Sequence, residues 1–73
     1  MTKSPDPAEV ARGLSPAMRR AVLYRERASE PCMSWATARR LHELGIMPRV
    51  TRYQRLTRFG LRVRTAIEGM EGG

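Results

Sequence analysis

Cysteine is almost missing from this 73-residue chain: Cys32 stands alone, so no intramolecular disulfide can form. It has no basic partner nearby in sequence and reads as a small buried apolar residue. Histidine is as sparse, with His42 only. No cluster of Cys, His or carboxylates falls at ligand spacing, so no metal is expected. Paired carboxylates, a nucleophile elbow and a glycine-rich phosphate loop are all missing. An enzyme and a cofactor are therefore not expected. Aromatic residues amount to 5%, and Tyr24, Trp35, Tyr53 and Phe59 are too scattered to form an RNA-stacking platform. No apolar run approaches the ~20 residues of a membrane span. Met1–Gly13 lacks the apolar stretch of a signal peptide. The expected setting is cytoplasmic, away from membranes.

What is present is charge of one sign. Lys and Arg total 14 against 7 Asp and Glu, a net charge of +7. All the basic residues but Lys3 are arginine. A GC-rich genome would account for much of the choice of Arg over Lys, but not for the positive excess. Arginine presents a planar fork that fits phosphate and the edge of guanine, so the excess points to a polyanionic partner. The length suits one small domain, and a hydrophobic content of 41% is that of a folded chain.

The hydrophobic periodicity divides the chain. Residues 1–13, with Pro5 and Pro7, read as a flexible N-terminal arm, with room for a short turn of helix at Ala8–Arg12. Residues 14–70 form the domain, and residues 71–73 a flexible tail. A first helix is expected over Ser15–Ala28, capped by Ser15 with Pro16 at its first position. Met18, Ala21 and Val22 lie on its apolar stripe. A second helix, Trp35–Leu44, starts from Ser34 and stops at Gly45. Ala38, Leu41 and Leu44 point inward, with Trp35 or Thr37 completing the face. Ala36, Arg39, Arg40 and Glu43 form the opposite face. Trp35 reads as a core anchor before it reads as a stacking platform. Ile46–Leu56 loosely alternates β-favouring residues with arginine and reads as a β-hairpin with its tip near Thr51–Arg52. Thr57 caps a last helix, Arg58–Gly69, with Phe59, Val63, Ala66, Ile67 and Met70 on its stripe. Gly60 is out of place in a first turn, where it costs about 1 kcal/mol relative to Ala. Close approach to another backbone would explain it. The core is expected from Leu14, Met18, Val22, Leu41, Leu44, Ile46, Leu56, Phe59, Val63 and Ile67. The fold class is mainly α with a small β-hairpin.

Gly45 to Gly60 reads GIMPRVTRYQRLTRFG: a glycine stop, an apolar pair, a basic hairpin, then Leu-Thr-x-x-Gly opening a helix. Ser34, Thr37, Leu41 and Gly45 precede it in the pattern Ser-x-x-Thr-x-x-x-Leu-x-x-x-Gly, and Leu14–Arg20 opens with Leu-Ser-Pro-Ala-x-Arg-Arg. This resembles small winged-helix DNA-binding proteins, namely the multiple-antibiotic-resistance-type repressors and short bacterial or phage regulators. The resemblance covers Leu14 to Gly69. It implies a compact winged helix, with Trp35–Leu44 as recognition helix and the hairpin as wing. One helix of the full pattern is missing between the first helix and the wing. Either the module is truncated, or Pro7–Gly13 and Ser15–Ala28 serve as its first two helices.

The resemblance implies a DNA-binding transcriptional regulator. Arg39 and Arg40 would reach guanine edges or phosphates in the major groove, beside Ala36. Ser34 and the first free N–H groups would meet a phosphate. Arg49, Arg52 and Arg55 would follow the backbone or enter the minor groove, and Arg58 would add a phosphate contact. Duplex DNA is the expected partner, and a homodimer would supply two half-sites. Two other readings stand beside it. The same fold can be a protein-interaction module, for example a phage factor binding a host protein, or a non-specific nucleic-acid binder. Arg39, Arg40 and Glu43 also fit an ordinary solvated helix face.

Overall fold

The computed structural model describes residues 6–24 and 30–72. Among the described residues four helices follow one another: α1, Pro7–Gly13; α2, Pro16–Leu23; α3, Trp35–Glu43; and α4, Arg58–Gly72. Each starts where a side chain satisfies a free backbone N–H of the first turn. Asp6 accepts from the N–H of Ala8, Ser15 from Met18, Ser34 from Thr37 and Thr57 from Gly60, at 3.0–3.3 Å. Pro7 and Pro16 occupy first helical positions, where their missing N–H costs nothing.

α1 packs along α4, and α2 contacts both α4 and α3. One core joins them. Ala11 from α1, Leu14, Ala21 and Val22 from α2, Met33, Ala38 and Leu41 from α3, Ile46, Met47, and Val63 and Ile67 from α4 are buried together. Met18, Leu44, Leu56 and Phe59 pack against them half-buried. Every residue expected in the core is in it or against it. Ala11, Met33 and Met47 lie in the core outside the expected set. Pro7–Gly13, the greater part of the expected arm, is a full helix. The expected first helix ends at Leu23, because Tyr24 turns to extended backbone. Residues 25–28 of its predicted span, the start of the arm (residues 1–5) and Gly73 lie outside the described residues.

The β-hairpin is not there. Among the described residues no strand forms, and Ile46–Leu56 is irregular. The fold is therefore all-helical, and the winged-helix class, which needs that hairpin, does not describe it. The reasons lie in the residues. Ile46 and Met47 are consecutive and both buried, whereas a strand sends neighbours to opposite faces. Val50 and Tyr53, the β-favouring residues, are exposed. Pro48 has no N–H to give a ladder. Hydrogen bonds from the loop run outward instead. The carbonyl of Arg52 accepts from the N–H of Cys32 at 2.9 Å. The amide of Gln54 donates to the carbonyls of Ala21 and Val22 in the last turn of α2, at 2.8 and 2.6 Å, where helix carbonyls lack their i+4 donors.

α3 ends in a Schellman turn. Gly45 takes φ +80°, its N–H donates to the carbonyl of His42, and the N–H of Ile46 donates to that of Leu41. The chain leaves this turn with the Ile46 carbonyl facing the start of α4. There it accepts from the N–H of Thr57 at 2.9 Å, while the Thr57 hydroxyl donates to the carbonyl of Gly45 at 2.7 Å. Gly60 sits directly on this junction. A Cβ at Gly60 would fall on the Ile46 carbonyl oxygen, well inside contact distance.

Three outcomes follow for stability. Gly60→Ala should destabilise the fold by about 1–3 kcal/mol through forced displacement, against its better helix propensity. Gly69→Ala, with nothing near the added carbon, should gain up to about 1 kcal/mol. Urea midpoints of the two variants must move in opposite directions, and a higher midpoint for Gly60→Ala would refute the close approach. Gln54→Ala should cost roughly 1–3 kcal/mol, because two partly buried carbonyls lose their donor. Unchanged thermal stability of that variant would show that water replaces the side chain at no cost.

Candidate nucleic-acid interface

The positive charge is unevenly placed along the chain. Residues 31–67 hold eight arginines and one carboxylate, Glu43. That segment alone carries the whole net charge of +7, and the rest of the chain balances to zero. It comprises α3, the loop after it and most of α4.

α3 turns Ala38 and Leu41 into the core. Ser34, Trp35, Ala36, Arg39, Arg40, His42 and Glu43 are all exposed. Trp35, Arg39 and His42 fall on one stripe at helical spacing, with Ala36, Arg40 and Glu43 beside them. Arg40 pairs with Glu43 at 3.4 Å. Both side chains are exposed, so this pair is worth little. Ser34 is fully used as a cap: its hydroxyl also donates to the Thr37 hydroxyl at 3.1 Å. His42 Nδ1 lies 3.1 Å from the carbonyl of Met47. A carbonyl only accepts, so the hydrogen is on Nδ1, and the imidazole helps hold the loop to α3.

The loop supplies the rest. Arg49, Arg52, Arg55 and, at the first position of α4, Arg58 are exposed. Among the described residues none of these four, nor Arg39, forms an ion pair. Arg52 is the one built into the fold. Its Nε donates to the carbonyl of Met33 at 3.1 Å, and its guanidinium lies over the Trp35 ring, 6.0 Å from the centroid. These contacts bring Arg52 of the loop and the start of α3 together. All eight residues expected at the site are thus on the surface. The contacts of Arg52 join loop and helix directly.

Trp35 departs from its expected place. It is 61% exposed and outside the core. Position one of α3 points it away from Ala38 and Leu41, and Thr37 takes the inward place. The signal was in the helical wheel, where Trp35 shares a stripe with Arg39 and His42.

A groove of about 250 Å³ opens between α2 and the start of α3, lined by Ala17, Arg20, Cys32, Met33, Ser34 and Thr37. Burial pushes the Cys32 thiol above its ordinary value of 9.0, and N–H groups of Gln54 and of Cys32 itself pull less strongly the other way. No cluster of three or more His, Cys, Asp or Glu among the described residues could hold a metal. No helix among them is long and apolar enough to cross a membrane. No family model, curated protein or solved structure matches the chain.

Two measurements check this geometry. The emission maximum of Trp35 in the native chain should lie close to that of the urea-unfolded chain, since the ring is already in water. A strongly blue-shifted native spectrum would put it back in the core. Cys32 should react with a thiol reagent more slowly in the folded chain than in urea at mildly alkaline pH, because burial favours the neutral thiol. A raised folded pKa also means that its contribution to stability is intact at neutral pH and declines as pH rises through and beyond about 9.

Proposed function

We propose that this chain binds duplex DNA through the outward face of α3 and the loop joining α3 to α4, and that it acts as a small regulator in the cytoplasm, without catalysis or a cofactor. The observation that carries the reading is the charge. The whole net +7 lies in residues 31–67, and Arg39, Arg40, Arg49, Arg52, Arg55 and Arg58 within it are exposed. Double-stranded DNA carries one negative charge per ~1.7 Å, and neutralising it releases counterions. Arg39, Arg40, Arg49, Arg52, Arg55 and Arg58 together bring the positive charge that neutralises ~6 phosphates, with Arg49, Arg52, Arg55 and Arg58 as the direct phosphate contacts, and the start of α3 adds its positive helix end. α3 is short and its exposed side is narrow enough for the major groove, which admits one helix. There Arg39 and Arg40 meet base edges across the small side chain of Ala36. A dimer on two half-sites would raise an affinity that one such small surface limits.

Neutralising ~6 phosphates costs roughly a thousandfold in affinity between 50 and 200 mM salt. Fluorescence anisotropy with labelled duplexes at several salt concentrations reads this. Arg55→Ala or Arg49→Ala should weaken all sequences alike and flatten the salt slope by about one unit. Arg39→Ala should cost about 1–3 kcal/mol and relax sequence preference where α3 reads bases. No binding to any duplex at low salt, or a flat salt dependence, would defeat the reading and favour a protein partner on the same surface.

A further inference from the structure

We infer that Trp35 is a stacking platform for an unpaired base, so that the chain prefers DNA with a gap or melted step over a fully paired duplex. This inference rests on the DNA-binding reading above and deepens it.

The fold has no use for Trp35 as a core residue. It is the largest exposed side chain of α3, 61% accessible, and the core closes without it. An indole left in water forfeits the burial that makes tryptophan valuable. It recovers that burial on a partner. The partner's chemistry is set by the neighbours. Arg39 is one helical turn along the same stripe, and Arg52 lies over the ring. Arg52 is held by its Nε on the Met33 carbonyl and its own carbonyl on the Cys32 N–H, so it stays beside the ring without a ligand. With one guanidinium over it and most of its surface accessible, the indole has ring surface left to take a second flat group. Tyr53, next to Arg52 in the chain, is also 41% exposed.

A flat group flanked by negative charge is a nucleotide. Within a duplex each base is covered on both faces by its neighbours and shows only its edges. An indole gains little there. An unpaired base shows a π-face, and stacking on an aromatic side chain is insensitive to base identity. Arginines bind the flanking phosphates, and the ring selects the unpaired base. Trp35 thus distinguishes disrupted from intact duplex, and the arginines do not.

Trp35 is the sole tryptophan, so native emission reports this site alone. The test compares one fully paired duplex with the same duplex carrying a short single-stranded gap. The ends are identical and cancel. Anisotropy gives affinity, and tryptophan emission gives stacking. The gapped duplex should bind roughly tenfold or more tightly and quench Trp35, whereas the paired duplex at saturation should leave the emission nearly unchanged. Trp35→Ala should erase the preference for the gap and keep the affinity for the paired duplex, with an unchanged circular-dichroism melt. Trp35→Phe should keep part of the preference. Equal affinity for the two DNAs, or a gap preference that survives in Trp35→Ala, overturns the inference and leaves the DNA reading standing. Absence of binding to both DNAs defeats the DNA reading itself, and the inference with it.

Discussion

The carbonyl of Ile46 is where three parts of the molecule meet. It emerges from the Schellman turn at Gly45, accepts the N–H of Thr57, and lies against the α-carbon of Gly60. Thr57 at once caps α4 and donates to the Gly45 carbonyl. The end of α3 is thereby fixed to the start of α4 at backbone distance. No side chain other than hydrogen at position 60 allows that approach. With its two ends pinned, the loop between them has a fixed span, and Ile46 and Met47 enter the core together.

The arginines inherit their placement from that constraint. A loop anchored at both ends, by Gln54 on the end of α2, and by Arg52 on Met33 and Cys32, presents Arg49 and Arg55 from a backbone that is held without a ladder. α3 is capped at both ends and turns one face fully outward. The single acidic residue between Pro31 and Ile67 is occupied by Arg40. Charge of one sign on a small surface repels itself and favours a partner of the opposite sign. The fold accepts that repulsion over one segment while the remainder of the chain is neutral.

Much of this was legible in the sequence. Ser15-Pro16, Ser34, Gly45 and Thr57 mark helix boundaries because capping chemistry is local, and the core stripes of α2, α3 and α4 follow from period, except that Met70, expected on the stripe of α4, is exposed. The same signature at Asp6-Pro7 marks α1, though two nearby prolines make it look like an arm. The loop departs from the strand pattern because Ile, Val, Thr and Tyr favour strands only where a face is available to bury them. Here Ile46 and Met47 go inward side by side, and Val50 and Tyr53 go out. Trp35 departs for a related reason: its size argues for burial, but its register on α3 decides otherwise. The arginine positions were legible as surface. The link between Arg52 and Trp35 was not, since it depends on how the loop folds back against the start of α3.

Backbone amide shifts of the nitrogen-15-labelled chain, followed as a short duplex is added at low salt, report which surface the DNA occupies. Perturbations should concentrate at residues 34–40 and 49–58 and fade as salt is raised. Perturbations centred on α1 and the middle of α4, or none at all, would contradict a DNA-binding surface built from α3 and its following loop.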